Sequence, residues 1–213
     1  MKIAEIHIFQ HDLTVANGPY RYAGATLSAL DTTLVKIVAD TGAIGWGEVC
    51  PLGPTYQAQH AAGARAALSE MAPNLLGEAL TPITLHEAMD RLLAGHNYAK
   101  AAMDIAAHDA LARALSIPVH DLLGGAHRNC VPSYYAVGIE TPEETARIAV
   151  AKADEGYPRL QLKVGGRDVE EDAAALRLTH EALGGRVRLA ADANRSLTAR
   201  DALILSNRTT DIP

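Results

Sequence analysis

Apolar and polar positions along the chain change rhythm near residue 130. Before that point, IAEIHIF (3–9) alternates and TTLVKIVAD (32–40) is rich in β-branched residues. DTGAIG (40–45) reads as a turn into GWGEVC (45–50), so these segments predict a small antiparallel meander. Ala- and Leu-rich stretches at 56–76, 84–94 and 98–116 follow, with apolar positions at helical spacing. Ala102, Ile105, Ala106 and Asp109 are expected on one face of the last helix, where small side chains admit a close neighbour, and Ile117-Pro118 ends it. Residues 1–125 therefore read as an α+β domain.

After Gly124-Gly125 the pattern is different. SYYAVG (133–138) predicts a strand, and Thr141-Pro142-Glu143-Glu144 supplies an N-cap, a proline at the first helical position and a capping-box glutamate for a helix to about 155. RLQLKV (159–164) is the next strand, Asp168 opens a helix to about 183, and Gly184-Gly185 closes it. VRLAAD (187–192) is a third strand, and a helix covers about 197–207. Strands separated by single helices mark consecutive βα units of a parallel sheet, so 126–213 reads as an α/β domain.

Composition narrows the function classes. With 213 residues, 48% hydrophobic content and net charge −6, the chain can bury a full core, and it has no Lys/Arg run suited to nucleic acid or an anionic membrane. MKIAEIHIFQ lacks the regions of a signal peptide and no apolar run is long enough to span a bilayer, so a cytoplasmic protein is expected. Cys50 and Cys130 are isolated and read as buried free thiols. The nine histidines form no HExxH; His108 and His120 read as structural, and Trp46, between two glycines, as core or interdomain packing. Walker A and GxGxxG patterns are absent.

A parallel sheet carries its chemistry at the carboxyl ends of its strands. Lys163 falls near the end of one strand and Asp192 at the end of the next, so a closed barrel would aim both into one mouth. On spacing alone, a lysine there reads first as a solvated edge residue, and an aspartate equally as a loop or cap residue. A desolvated lysine beside a cation would instead have its pKa lowered and could act as a base. An aspartate could give Mg²⁺ a hard oxygen ligand.

NYAKAAMDIAAHDALARALSIPVHDLLGG (97–125), GWGEVCP (45–51), LQLKVG (160–165) and LAADAN (189–194) together resemble the mandelate racemase and muconate-lactonizing branch of the enolase superfamily. The N-terminal IFQHDL, NGPYRYA, GPTY and GHNYAKAAMD are most similar to hydroxyproline-betaine and proline-betaine epimerases, with cis-3-hydroxyproline dehydratases as near relatives. The resemblance implies a (β/α) barrel under a capping domain, a Mg²⁺ cofactor, a small amino-acid or betaine carboxylate as substrate, and a homo-oligomer. It assigns Lys163 as a base at the substrate's α-carbon and Asp192 as the first of three acidic metal ligands. Asn194 is adjacent to that ligand, and Gln161 stands where many relatives carry another lysine, whose positive charge a glutamine cannot supply. Tyr56, in GPTY, matches the lid segment that helps choose substrates, and its ring could meet a quaternary ammonium through a cation–π contact of about 0.5–2 kcal/mol. Tyr20 and Tyr22 are secondary candidates of that kind.

The residue types suit the chemistry. Loss of a proton α to a carboxylate builds negative charge on two oxygens, and a cation opposite them stabilises charge that grows toward the transition state. Epimerisation needs a second base on the other face, and dehydration an acid beside a β-hydroxyl. Three βα units fill about 80 residues here, whereas eight need roughly 220. The expectation is that the chain stops before the fourth strand, as part of a longer racemase or epimerase, or of a dehydratase or another muconate-lactonizing-type enzyme. The alternative of another class is a non-catalytic fragment or binding scaffold.

Overall fold

The computed structural model describes every residue except Asn17, Ala23, Gly24, Pro54 and Thr55, so parts of the NGPYRYAG and GPTY segments lie outside the described residues. In chain order the first elements are β1 (Ile3–Thr14), β2 (Tyr20–Tyr22), β3 (Ala25–Leu27), β4 (Ala29–Ala39), β5 (Ile44–Val49), α1 (Ala61–Leu75), α2 (Pro82–Leu92), α3 (Asn97–Leu115) and α4 (Val119–Leu122). They are followed by β6 (Tyr135–Val137), α5 (Pro142–Asp154), β7 (Arg159–Lys163), α6 (Val169–Leu183), β8 (Arg188–Asp192) and α7 (Ala199–Arg208). Contacts divide the chain into two compact units, Met1–Thr14 with Ala29–Asn129, and Val15–Ser28 with Cys130–Pro213. The β2–β3 hairpin thus belongs with the second unit, an excursion that no shift in composition signals.

The first unit is an antiparallel sheet, order β1-β4-β5, backed by α1, α2 and α3. Alternation along β4 sends Val35, Ile37 and Ala39 inward, where they meet Leu68, Met71 and Leu75 of α1, Leu85 and Met89 of α2, and Met103 of α3. On β5 the inward positions are Gly45, Gly47 and Val49, and the buried small residues Ala102, Ala106 and Ala110 of α3 pack there. The same alternation turns Trp46 outward: it is 43% exposed, which overturns the core half of its reading as core or interdomain packing. Ile105 is likewise 49% exposed, because the buried face of α3 runs through 99, 102, 103, 106, 107 and 110. Cys130 is exposed and Cys50 half-buried, which corrects the reading of both as buried thiols.

α1 starts at Ala61, later than hydrophobic spacing predicts, because the His60 ring accepts the Gly63 N–H at 3.1 Å and caps the first turn. Arg65 of α1 reaches the sheet with a two-pronged bond to Asp31, at 2.7 and 2.9 Å. That fork holds the Asp31 carboxyl below the usual carboxylate range. A lowered folded-state pKa gives stability that is fully present above the unfolded value, about 3.9, and is lost as pH falls through the folded one. The pair is partly exposed and screened, so the effect is small. Urea unfolding of wild type and Asp31→Asn should therefore show a gap that is constant above about pH 5 and narrows below pH 4; a gap that widens on acidification would refute the assignment.

The second unit contains a parallel sheet, order β6-β7-β8, with β7 central. Leu160 and Leu162 of β7, with Val137 and Val164, face Ala149 of α5, Ala173, Leu176 and Leu183 of α6, and Leu205 of α7. The α5 start matches its sequence signal in one half only. Thr141 Oγ1 accepts the Glu144 N–H at 3.3 Å, but the Glu144 carboxylate binds Arg147 at 2.6 and 2.7 Å rather than returning to the cap. Among the described residues, no helix is long and apolar enough to cross a membrane.

Candidate active site

The site forms where β7 and β8 end side by side. Their parallel register places Lys163 opposite Asp192, and period-two alternation puts Gln161 on the same face as Lys163, away from the helix-facing Leu160 and Leu162. Lys163 is 9% exposed, and its ammonium donates to Asp192 Oδ2 at 2.6 Å. Gln161 Nε2 donates to the same oxygen at 2.6 Å. Backbone bonding continues the pairing past the strands, with Val164 N–H reaching the Asp192 carbonyl at 3.1 Å.

The turn after β8 completes the cradle. Asn194 and Arg195 both adopt left-handed backbone (φ 45° and 68°), an uncommon conformation outside glycine that asparagine tolerates well. This turns the Asn194 backbone N–H toward Asp192 Oδ1 at 2.9 Å and its side-chain amide toward Oδ2 at 3.2 Å. Burial opposes ionisation of Asp192, but the Lys163 ammonium and the Asn194 N–H outweigh it and hold the carboxyl below its ordinary range. Burial would also lower the Lys163 pKa; the bond to Asp192 and contact with the Tyr20 phenol overcome it, and the amine sits above its usual value. The lowered amine pKa expected from sequence is one for a lysine beside a cation, whereas the charged partner of Lys163 in this arrangement is an anion. Tyr20 itself is pushed up, mainly by burial.

Four of the five site residues singled out from sequence, Lys163, Asp192, Gln161 and Asn194, are therefore one hydrogen-bonded cluster. Tyr56 lies in the first unit, in a turn where its N–H bonds the Gly53 carbonyl at 3.2 Å. Tyr20 was ranked only as an aromatic contact for a ligand. Its place against Lys163 depends on how the β2–β3 hairpin packs in the second unit, with the Ile139 N–H bonded to the Arg21 carbonyl at 3.0 Å, and no local pattern encodes that. Among the described residues no cluster of three or more His, Cys, Asp or Glu side chains is placed to hold a metal. The donor chemistry fits a hard cation as far as it goes: Asp192 offers an ionised carboxylate whose side chain is 32% exposed, and Mg²⁺ commonly takes one or two protein carboxylates and keeps several waters.

Two family models match the chain. Residues 3–124 match the mandelate racemase / muconate lactonizing enzyme N-terminal domain, and residues 144–212 match the enolase C-terminal domain-like family. The chain is 41% identical over 206 residues to a cis-3-hydroxy-L-proline dehydratase of Roseibium aggregatum, covering 95% of this chain and 55% of that protein. It is 32% identical to a hydrophobic dipeptide epimerase of Enterococcus faecalis, covering 95% and 56%. The chain thus spans a little over half the length of these relatives. Among solved structures, the Enterococcus faecalis dipeptide epimerase complexed with Mg and L-Leu-L-Tyr superposes with a TM-score of 0.89 at 30% identity, covering 99% of this chain and 59% of that one. A mandelate racemase/muconate lactonizing enzyme from Roseovarius nubinhibens gives 0.91 at 32% identity, covering 99% and 57%. With the N-terminal family domain matched over more than half its residues, the chain belongs to the mandelate racemase/muconate lactonizing enzyme family of the enolase superfamily.

Proposed function

We propose that the whole protein removes the proton α to the carboxylate of a proline-type acid, with Lys163 as base, Asp192 as a Mg²⁺ ligand, and the three parallel βα units as the first part of a (β/α) barrel. The observation that carries it is the 2.6 Å contact of the Lys163 ammonium with Asp192 at adjacent strand ends. Mg²⁺, when bound, supplies positive charge opposite the substrate's carboxylate oxygens. Lys163 delivers or removes a proton at the α-carbon, from a 9% exposed position at the strand end beside Asp192. Gln161 and Asn194 orient the Asp192 carboxylate and border the substrate position, and Tyr56 is assigned to substrate by the family resemblance alone.

Epimerisation of hydroxyproline betaine or proline betaine begins with this proton transfer. Dehydration of cis-3-hydroxy-L-proline begins in the same way, and the 41% identity to the Roseibium aggregatum dehydratase favours that second reading of the substrate. Incubating the full-length protein with each compound in D₂O tests the proposal. A betaine should exchange its α-proton, or cis-3-hydroxy-L-proline should lose its α-proton together with the β-hydroxyl as water; chelation should stop the reaction, and Mg²⁺ should restore it. Asp192→Asn should raise the Mg²⁺ concentration needed for half-maximal exchange by about tenfold or more, as second-shell and ligand losses do. An unchanged Mg²⁺ requirement would remove Asp192 from the metal site, and neither exchange nor dehydration with any of the compounds would sink the substrate class.

A further inference from the structure

After Lys163 and Val164 come two glycines, and both turn through positive φ, +85° at Gly165 and +83° at Gly166. Gly165 is also pressed against the β8 turn, since a Cβ there would lie 2.0 Å from Ser196 Oγ. Glycine is the residue this path demands, yet a glycine pair is the loosest backbone the chain can offer. Lysine chemistry at an α-carbon tolerates little looseness, because a misplacement of about 1 Å costs on the order of 10²-fold in rate. Something must hold the turn.

Asp172 of α6 is placed to do so. Its side chain is fully buried, Oδ2 accepts the Gly165 N–H at 2.6 Å, and Oδ1 accepts Arg167 Nε at 2.6 Å. Arg167 Nη1 in turn donates to the Glu140 carbonyl, in the segment after β6, and the Glu140 carboxylate takes Arg21 Nη1 of the β2–β3 hairpin at 2.9 Å. Tyr20, beside Arg21, contacts the Lys163 amine. The network therefore leaves the turn two residues after Lys163 and comes back to Lys163 itself. A buried ion pair adds little net stability compared with a well-packed apolar pair, but it does fix register and orientation. Capping one turn N–H needs no charge; tying three segments to one point uses both carboxylate oxygens and the planar guanidinium.

We propose that Asp172, paired with Arg167, is a positioning residue that clamps the Gly165–Gly166 turn and so fixes the Lys163 amine at the strand end. The inference rests on Lys163 being the base. It predicts that Asp172→Asn in the full-length, Mg²⁺-loaded protein lowers kcat for α-proton removal, read as exchange or as dehydration, by roughly 10- to 100-fold, with KM changed less than about threefold. The probes are cis-3-hydroxy-L-proline and hydroxyproline betaine in D₂O. Hydrogen exchange should quicken in the peptide covering 160–167, while α7 (199–208) keeps its protection. Unchanged kcat, a rise in KM alone, or an equal loss of protection in both segments would overturn the clamp. If Asp172→Asn does not fold, Arg167→Lys serves, since it keeps charge on the carboxylate but loses the fork; kcat should then drop at least threefold at constant KM, and an unchanged kcat overturns the proposal. An active wild type with an unaffected clamp variant sinks this inference alone, whereas a wild type inactive on both probes sinks the proton-transfer reading and this inference with it.

Discussion

Lys163→Ala in the full-length protein should abolish α-proton exchange into a proline-type acid, lowering it by about 10³-fold or more, while leaving the fold in place. A positioned general base contributes typically 10²–10⁴-fold, and this amine is the base proposed for one face of the substrate. The structural cost is far smaller. Asp192 keeps its bonds from Gln161 and from both Asn194 donors, and its side chain is open enough for water to replace the lost ammonium, so about 1 kcal/mol of stability is at stake. Lys163→Arg separates charge from proton transfer. Arginine retains a cation for Asp192 but does not deprotonate in proteins, so the arginine variant should be as inactive as alanine if Lys163 is a base. Recovery of exchange in Lys163→Arg would mean that the residue supplies charge only, and wild-type exchange in Lys163→Ala would remove it from the chemistry.

What could be read from the sequence divides by the range of the interaction. The β7 segment LQLKV was legible because period-two alternation is local, and the same period puts Gln161 and Lys163 on one face. Side-by-side ends of β7 and β8 followed from the spacing of the βα units, and that placed Lys163 near Asp192. The hairpin at 20–27 was not legible, because its three-residue strands, Tyr20–Tyr22 and Ala25–Leu27, are too short to show a period. The contact of Tyr20 with Lys163 depends on where that hairpin packs, and the buried bond from Asp172 to Gly165 closes a turn between a strand and a helix whose charged residues look solvated in the sequence. Trp46 misled in the other direction. Its bulk suggested a core position, whereas alternation made its glycine neighbours the inward residues. Patterns of hydrophobicity report which face a side chain takes, and they carry no information about how closely two backbones approach.

That approach is the source of the largest expected effect on folding. Gly47→Ala should unfold the first unit or lower its stability by at least about 3 kcal/mol, at or beyond the upper end of ordinary overpacking. Two opposed terms meet at this position. Replacing a strand glycine by alanine ordinarily stabilises by about 0.5–1 kcal/mol through reduced backbone entropy. Here the new Cβ would stand 1.9 Å from the Ala102 carbonyl oxygen and 2.9 Å from the Ala106 nitrogen. Carbon and carbonyl oxygen rest at about 3.3–3.6 Å, so strand and helix would have to part by more than 1 Å. The obstacle is helix backbone held in its own hydrogen-bond ladder, which cannot swing aside as a side-chain tip can. Gly45 repeats the situation one pleat along, 2.0 Å from the Ala106 oxygen and 2.3 Å from the Ala110 nitrogen, so α3 has no nearby slack into which to slide. Steric cost therefore outweighs the entropy gain, and against a total stability of about 5–15 kcal/mol it is a large share. A second substitution identifies the cause. If the clash were with the Ala102 methyl, Ala102→Gly would rescue Gly47→Ala; because it is with the carbonyl, the double variant should be no more stable than the single one. Urea unfolding followed by circular dichroism reads both, and a Gly47→Ala midpoint equal to that of wild type would show that the helix does not sit on the glycine face of β5 as described.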